Sequence, residues 1–329
     1  MRPGASPEAD QNPVVEDVTD PPAGPADKAT KFQGLVSPSS FALMLMAAAS
    51  LLVTVNDALV KEALVRADTG EVLFFRAIFA MIPLLVYALA WGRPTTLLPN
   101  NRTLALLLSA LAVLSLFLFT ISLRFIPLAT AIVLAYLSTI MVTLVSPLLI
   151  GERITKPQWV AVLIGFGGVV LMTSPSLEAK DWIIFLPILV AAIIAGRDIL
   201  IRVSIAREHT LALVAWTHLM TMGVAALTFD PSWLHFDMHQ YMLYAAAGVT
   251  VSLGTAGMIA ALRYAAAASL SAVKYSCVLW AGLIGWLVFG ESLSLAMVIG
   301  ATLIVSSGIV IAWHEARKNR TKDIAADTR

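Results

Sequence analysis

Two stretches of the chain follow one pattern. Residues 123–152 read LRFIPLATAIVLAYLSTIMVTLVSPLLIGE, and residues 262–291 read LRYAAAASLSAVKYSCVLWAGLIGWLVFGE. At an offset of 139 residues, and without a gap, they share an arginine, a tyrosine and a closing Gly-Glu pair, namely Arg124 and Arg263, Tyr136 and Tyr275, and Gly151-Glu152 and Gly290-Glu291. Chance is a weak explanation, because charged and aromatic residues match within apolar sequence. The chain therefore contains an internal repeat.

The repeat extends towards the N-terminus of each stretch. At an offset of 141 residues four polar residues recur, namely Asp57 and Asp198, Lys61 and Arg202, Arg66 and Arg207, and Thr69 and Thr210. We therefore divide the chain into two similar halves, at residues 41–174 and 182–313.

The composition indicates the solvent in which these halves fold. Of the 329 residues, 59% are hydrophobic and 13% are charged, and the mean hydropathy is +0.84. Soluble domains are about 45–50% apolar and about 25% charged, so this chain has too little charge to cover a soluble globule of its size. A net charge of +1 without a basic stripe argues against a nucleic-acid partner. These values predict an integral membrane protein that contacts the lipid bilayer.

Apolar runs near the length that a helix needs to cross a bilayer, about 20 residues, occur ten times. The predicted spans are 41–60, 72–91, 103–121, 127–149, 158–174, 182–200, 210–229, 241–262, 266–289 and 294–313. We therefore predict an all-α integral membrane protein with ten transmembrane helices. Because five helices per half is an odd number, the second half enters the membrane upside down relative to the first. Such inverted repeats are typical of secondary transporters.

The regions outside the spans differ in charge. Residues 1–40 hold three basic and six acidic residues and seven prolines, which predicts a disordered tail. Residues 314–329 hold five basic and three acidic residues and are predicted to form a basic tail. With the N-terminus in the cytoplasm, the inside loops carry seven Lys or Arg and the outside loops four. The positive-inside rule thus predicts a multi-pass protein of the bacterial inner membrane with both termini cytoplasmic.

At this point the chain resembles a known family. Ten helices in two repeats, each with a Gly-Glu pair after its fourth helix, are similar to EamA-type transporters of the drug/metabolite transporter superfamily. NDALVK at 56–61 and EVLFFRAIFA at 71–80 add to the resemblance, which covers 41–313. It implies transport of a small organic solute, such as an amino acid, a vitamin, a nucleoside-like metabolite or a drug. It names neither the solute nor the direction.

Charges within the predicted spans are the best functional indicators, since each costs roughly 2.5–3.5 kcal/mol at mid-span and needs a partner or a cavity. Asp57 and Asp198 are equivalent, and each precedes by four positions a basic residue, Lys61 or Arg202, on the same helix face. We interpret these pairs as structural or gating ion pairs near opposite membrane faces. Because both aspartates have a basic partner, the sequence gives little support for proton coupling.

Charges present in only one half are better candidates for solute binding, because the shared scaffold does not require them. Lys274 is predicted to line the cavity between the halves, with a buried ion pair to Asp198 as the alternative. Arg197 is open to cavity lining and, equally, to a partner in neighbouring Asp198 or in a facing carbonyl. The favoured interpretation of His218 is a hydrogen-bonded core residue rather than a ligand, and Arg76 is expected to extend to the outer interface.

Aromatic residues adjoin the Lys274 position. Tyr136 and Tyr275 follow it in the two halves, and Trp280 lies five residues further on. Their rings suit stacking on a planar or hydrophobic solute, and packing against lipid or neighbouring helices is an equal alternative. Three basic and two acidic residues within the spans favour a solute with an anionic group.

Together these features predict a secondary transporter that moves a small organic metabolite by alternating access. The alternatives are a multidrug or toxic-metabolite exporter of broad specificity and a non-transporting membrane scaffold or sensor. The sequence shows no catalytic set and no cluster of metal ligands, and Cys277 is its one cysteine. We therefore predict no enzyme, no cofactor and no metal. The sequence is also compatible with a homodimer.

Overall fold

The computed structural model describes residues 38–90, 97–150, 156–173, 183, 185–204, 210–235, 237–261, 264, 270, 273–292 and 294–327. Ser39–Arg329 form one compact unit. Its helices are α1 (Pro38–Ala63), α2 (Thr69–Ala90), α3 (Arg102–Leu123), α4a (Leu128–Ala135), α4b (Leu137–Ile150), α5 (Lys156–Thr173), α6 (Phe185–Ser204), α7 (Thr210–Ala226), α8 (Met238–Ala261), α9 (Ser276–Phe289) and α10 (Leu295–Asp327). A short 3-10 helix, Pro231–Leu234, precedes α8. No strand occurs in the described ranges.

Each of the ten predicted spans corresponds to a helix, counting α4a and α4b as one interrupted helix. Within the described ranges, α1 to α4 and α8 are long and apolar enough to cross a membrane. Shorter apolar segments occur in α5, α7, α9 and the first part of α10. Large apolar side chains such as Leu163 and Phe166 of α5 are more than 60% exposed, as on a surface that contacts lipid. The predicted all-α membrane fold is confirmed.

The main helix contacts join the two halves. α2 packs against α7 and α8, α3 against α6 and α7, α4 against α6 and α9, and α5 against α10. At Gly248 of α8 the approach is especially close, since a Cβ there would lie 2.7 Å from the carbonyl oxygen of Arg76 in α2. The halves are therefore interlocked, and each buries its apolar faces against the other.

Four loops meet at one end of the bundle, which we call the four-loop face: the α1–α2, α3–α4, α7–α8 and α9–α10 loops. The Arg124 guanidinium donates to the Ala67 carbonyl and lies 3.6 Å from Asp68. Gln240 Nε2 donates to the Ala63 carbonyl at 2.8 Å. Helices α1 and α7 thus both end at this face. Since α7 ends here, α6 runs opposite to its equivalent α1, and the halves are inverted.

The fourth helix of each half is interrupted at the same position. Tyr136 separates α4a from α4b, with φ −67° and ψ −11°. Its repeat equivalent Tyr275 precedes α9 with φ −65° and ψ −9°. The two rings contact each other, with centroids 5.0 Å apart and planes at 42°. A contact between equivalent residues lies on the pseudo-two-fold axis that relates the halves.

The C-terminal helix is longer than expected. α10 continues to Asp327, whereas the sequence prediction ended the last span at residue 313 and assigned a tail beyond it. The segment EARK at 315–318 consists of strong helix formers, which explains the extension. Three other predictions lie outside the described residues, namely the tail 1–40 as far as residue 37, the pair Gly151-Glu152 and the side chain of Arg202.

Candidate functional site

A cavity of about 370 Å³, which we call the central cavity, lies between the two halves. Helices α2, α3 and α4a of the first half and α6, α7 and α8 of the second contribute to its wall. Its polar lining residues are Arg76, Ser115, Arg197, Thr217, His218 and Thr255, and no carboxylate is among its described lining residues. The wall thus contributes two guanidinium groups, which attract anions. Each also has an aspartate near it outside the wall, Asp57 for Arg76 and Asp198 for Arg197.

Three nitrogen atoms of this wall are buried without a hydrogen-bond partner in the described part of the chain. They are Arg76 Nη1, Arg197 Nε and His218 Nδ1. Arg76 is only 4% exposed and His218 only 7%. A buried polar atom without a partner costs about 1–3 kcal/mol, and more in a charged group. These nitrogens are therefore available to water or to a molecule that enters the cavity.

The sequence led us to expect that Arg76 extends to the outer membrane interface. The structure shows instead that a partner holds it inside the bundle. Its Nε donates to Asn56 Oδ1 at 2.7 Å, and Asn56 Nδ2 donates to Asp57 Oδ1 at 2.8 Å. Asn56 is 2% exposed. The result is a relay, Asp57–Asn56–Arg76, that runs from the half-buried carboxylate of Asp57 on α1 to the wall of the central cavity.

The expected ion pair between Asp57 and Lys61 is replaced by a pair that joins the two halves. The Lys61 ammonium pairs with Glu291, and it also donates to the Ile126 carbonyl at 2.9 Å. Both carboxylate oxygens of Glu291 accept from the Leu128 backbone N–H, at 3.1 Å. A carboxylate at the first turn of α4a also meets the positive end of the helix dipole. We call this arrangement the Lys61–Glu291 latch.

The Gly-Glu motif positions the latch. Gly290 has φ +62° and ends α9 in the left-handed conformation that favours glycine. The Glu291 N–H then donates to the Gly285 carbonyl at 3.0 Å, and the chain turns the Glu291 side chain back over α9. A Cβ on Gly285 would lie 2.5 Å from Glu291 Oε2. The backbone at residue 290 therefore favours glycine, and a side chain at residue 285 would displace the Glu291 carboxylate from its present position.

The other predicted solute-binding residues form a separate cluster. Lys274 is exposed, and its Nζ lies 5.9 Å from the centroid of the Tyr136 ring. The Tyr136 hydroxyl donates to the Lys274 carbonyl at 3.3 Å. Tyr275 lines an apolar cavity of about 650 Å³ beside α9 and α10, and buried Trp280 Nε1 has no partner among the described residues. Lys274 is not among the described residues that line the central cavity.

Thus the structure brings Arg197 and His218 together and separates both from Lys274, Tyr136, Tyr275 and Trp280. Arg76, Asn56 and Glu291 are functional candidates that the sequence reasoning did not select. Comparison of the two repeats could have identified Arg76 together with Arg197, because neither arginine has a cationic equivalent in the other half. Arg197 of the second half corresponds to Asn56 of the first, and Arg76 of the first half corresponds to Thr217 of the second. Each half therefore carries a cation at a position where the other half has a neutral residue.

Comparison with known proteins agrees with this architecture. Residues 40–174 match the EamA-like transporter family. The chain is 28% identical over 276 residues to the pseudopaline exporter CntI of Pseudomonas aeruginosa, covering 82% of this chain and 95% of that protein. It is 23% identical over 267 residues to the S-adenosylmethionine uptake transporter of Rickettsia conorii, covering 81% and 90%.

A solved crystal structure is also similar in fold. It is 19% identical, has a TM-score of 0.58, and covers 84% of this chain and 98% of its own. The matched relatives are transporters and not enzymes. From the ten-helix fold, the matched domain and these relatives, we conclude that the chain is a membrane transporter and that its residues 40–174 belong to the EamA-like transporter family.

Proposed function

We propose that the chain carries a small carboxylate-bearing metabolite through the central cavity. The observation that supports this most strongly is the convergence of three unpartnered nitrogens on a wall without a carboxylate. A carboxylate accepts several hydrogen bonds at once and forms bidentate contacts with a guanidinium group. It would satisfy Arg76 and Arg197 together, and His218 is placed to orient the remainder of the solute.

The volume of the cavity limits the size of the solute. About 370 Å³ lies at the lower end of the range of small-molecule sites, roughly 300–1,000 Å³. Leu116, Phe119 and Ile194 contribute apolar surface to the wall. This combination suits a metabolite with one anionic end and one apolar or planar end.

We further propose alternating access, with the Lys61–Glu291 latch as the closed gate at the four-loop face. The latch joins α1 of the first half to the end of α9 in the second, so opening this face requires the pair to separate. The charge distribution favours an orientation in which the four-loop face is outside and both termini are cytoplasmic. In this orientation the latch closes the outer side of the pathway.

The names of the relatives support a metabolite as the solute. One is named as an exporter of pseudopaline and another as an uptake transporter of S-adenosylmethionine. Because the two names specify opposite directions, flux needs to be followed both into and out of vesicles.

A binding assay on purified full-length protein tests the proposal. S-adenosylmethionine, glutamate and succinate serve as carboxylate probes, and their methyl esters serve as matched probes that lack the carboxylate charge. We expect carboxylates to raise the melting temperature and esters to have little effect. Arg197→Gln should weaken binding of the best carboxylate about 10- to 150-fold, since a hydrogen bond to a charged group contributes about 1.5–3 kcal/mol.

Arg66→Gln is the matched control, because Arg66 is 68% exposed at the four-loop face. It should leave binding unchanged. Equal binding of acids and esters, or an unchanged affinity in Arg197→Gln, would contradict the anion site. Binding without flux in either direction across proteoliposomes would favour a scaffold or sensor, and flux of many unrelated neutral or cationic solutes would favour a multidrug exporter.

A further inference from the structure

We infer that Asp57 is a proton site whose occupancy is coupled, through Asn56 and Arg76, to the presence of an anion in the central cavity. The identity of the cavity ligand as an anion rests on the proposed function. The coupling itself rests on the relay of side chains.

The Arg76 guanidinium has two sides with different roles. Its Nε is committed to Asn56, which in turn donates to Asp57. Its Nη1 has no partner in the described part of the chain, and Arg76 lines the central cavity. One positive charge therefore serves both Asp57 and whatever enters the cavity.

The surroundings of Asp57 leave Arg76 as its source of positive charge. From α2 the Arg76 guanidinium acts on Asp57, and Asn56 of α1 donates to its Oδ1. Tyr136, between α4a and α4b, lies near enough for the charge of Asp57 to act on its hydroxyl. His218 of α7 faces Arg76 in turn. Lys61, one helical turn beyond Asp57, is occupied by Glu291 in the latch. The basic partner that argued against proton coupling at the level of sequence is thus engaged elsewhere.

The direction of coupling follows from electrostatics. Arg76 stabilises the ionised carboxylate of Asp57. An anion bound at Arg76 offsets that positive charge, so Asp57 then takes up a proton from water and becomes a neutral carboxylic acid. By linkage, a proton on Asp57 leaves Arg76 free to bind the anion, and each event favours the other by the same free energy. Proton and anion are therefore carried in the same direction.

A titration without any ligand tests this coupling. In full-length protein in liposomes, the carboxylic-acid C=O stretch of Asp57 is isolated by infrared difference spectroscopy against Asp57→Asn, with Asp57→Glu confirming the assignment. Removing the charge in Arg76→Gln should move the protonation midpoint of Asp57 to higher pH by about 1 to 3 units. Arg76→Lys should retain most of the wild-type midpoint.

Arg197→Gln is the matched control, because it removes a cation from the same cavity without touching the relay. It should move the midpoint less than half as far as Arg76→Gln. An unmoved midpoint in Arg76→Gln, equal shifts in both variants, or an Asp57 band that does not titrate would overturn the inference. These outcomes do not depend on any solute, so they are distinct from a failure of carboxylate binding in the assay for the proposed function.

Discussion

At the scale of single residues, the two halves use the same positions for different tasks. Asn56 and Arg197 are repeat equivalents, yet Asn56 holds Arg76 in place while Arg197 lines the cavity with an unpartnered nitrogen. The sequence identified Arg197 and His218 through their absence from the other half. It could not place Arg76, since its distance from a helix end is compatible with extending to the interface. Only the tertiary contact with Asn56 keeps Arg76 inside.

The Lys61–Glu291 latch is a second tertiary contact that could not be predicted from the sequence. Spacing of four residues on a helix favours Asp57 as the partner of Lys61, and such a pair contributes only about 0.2–0.5 kcal/mol. Glu291 is 230 residues away, but its side chain is 11% exposed and is held by α4a. A buried partner interacts more strongly than an exposed neighbour, and no local pattern specifies it.

A charge exchange tests the latch. Lys61→Glu and Glu291→Lys each place two like charges together in a poorly exposed site, and each should abolish most solute flux in proteoliposomes. The double variant restores opposite charges and should recover part of the flux. Recovery should be incomplete, because a lysine at 291 cannot accept from the Leu128 N–H. If the double variant is no better than the singles, the pair is not a functional contact.

At the scale of helices, more of the structure could be predicted from the sequence than at the scale of single residues. Apolar length located all ten helices, because a bilayer fixes how long each helix must be, although α9 begins at Ser276 rather than at residue 266 and α10 ends at Asp327 rather than at residue 313. It did not reveal the interruptions at Tyr136 and Tyr275, since no proline or glycine adjoins either tyrosine. Nor did it show that the Gly-Glu motif ends α9 and brings Glu291 to Lys61, because that depends on the position of Lys61 in the other half.

The glycines of α9 provide a matched test of this helix end. Gly285→Ala places a Cβ against the Glu291 carboxylate, whereas a Cβ on Gly282 meets nothing within 4 Å. We expect Gly285→Ala to lower both the melting temperature and the flux. Gly282→Ala should be neutral or raise helix stability by up to about 1 kcal/mol. Equal melting temperatures and equal flux for the two variants would show that Glu291 does not need its present position.

At the scale of the whole molecule, the proposed orientation can be measured directly. In a Cys277→Ala background, His235→Cys places an exposed thiol at the four-loop face, and Asn100→Cys places one in the α2–α3 loop at the opposite end. A membrane-impermeant maleimide added to intact cells should label the His235 position and leave the Asn100 position unlabelled until the cells are opened. The reverse pattern would place the latch on the cytoplasmic side.

The contact between Tyr136 and Tyr275 has a consequence for motion. In a carrier with inverted halves, the two end states differ by an exchange of conformations between the halves, so a contact between unlike positions in one state is absent from the other. The Lys61–Glu291 latch is such a contact and must break. A contact between two equivalent positions is unchanged by that exchange, because each residue takes the place of the other. The tyrosine pair can therefore persist through the whole cycle, as the fulcrum about which the rest of the molecule turns.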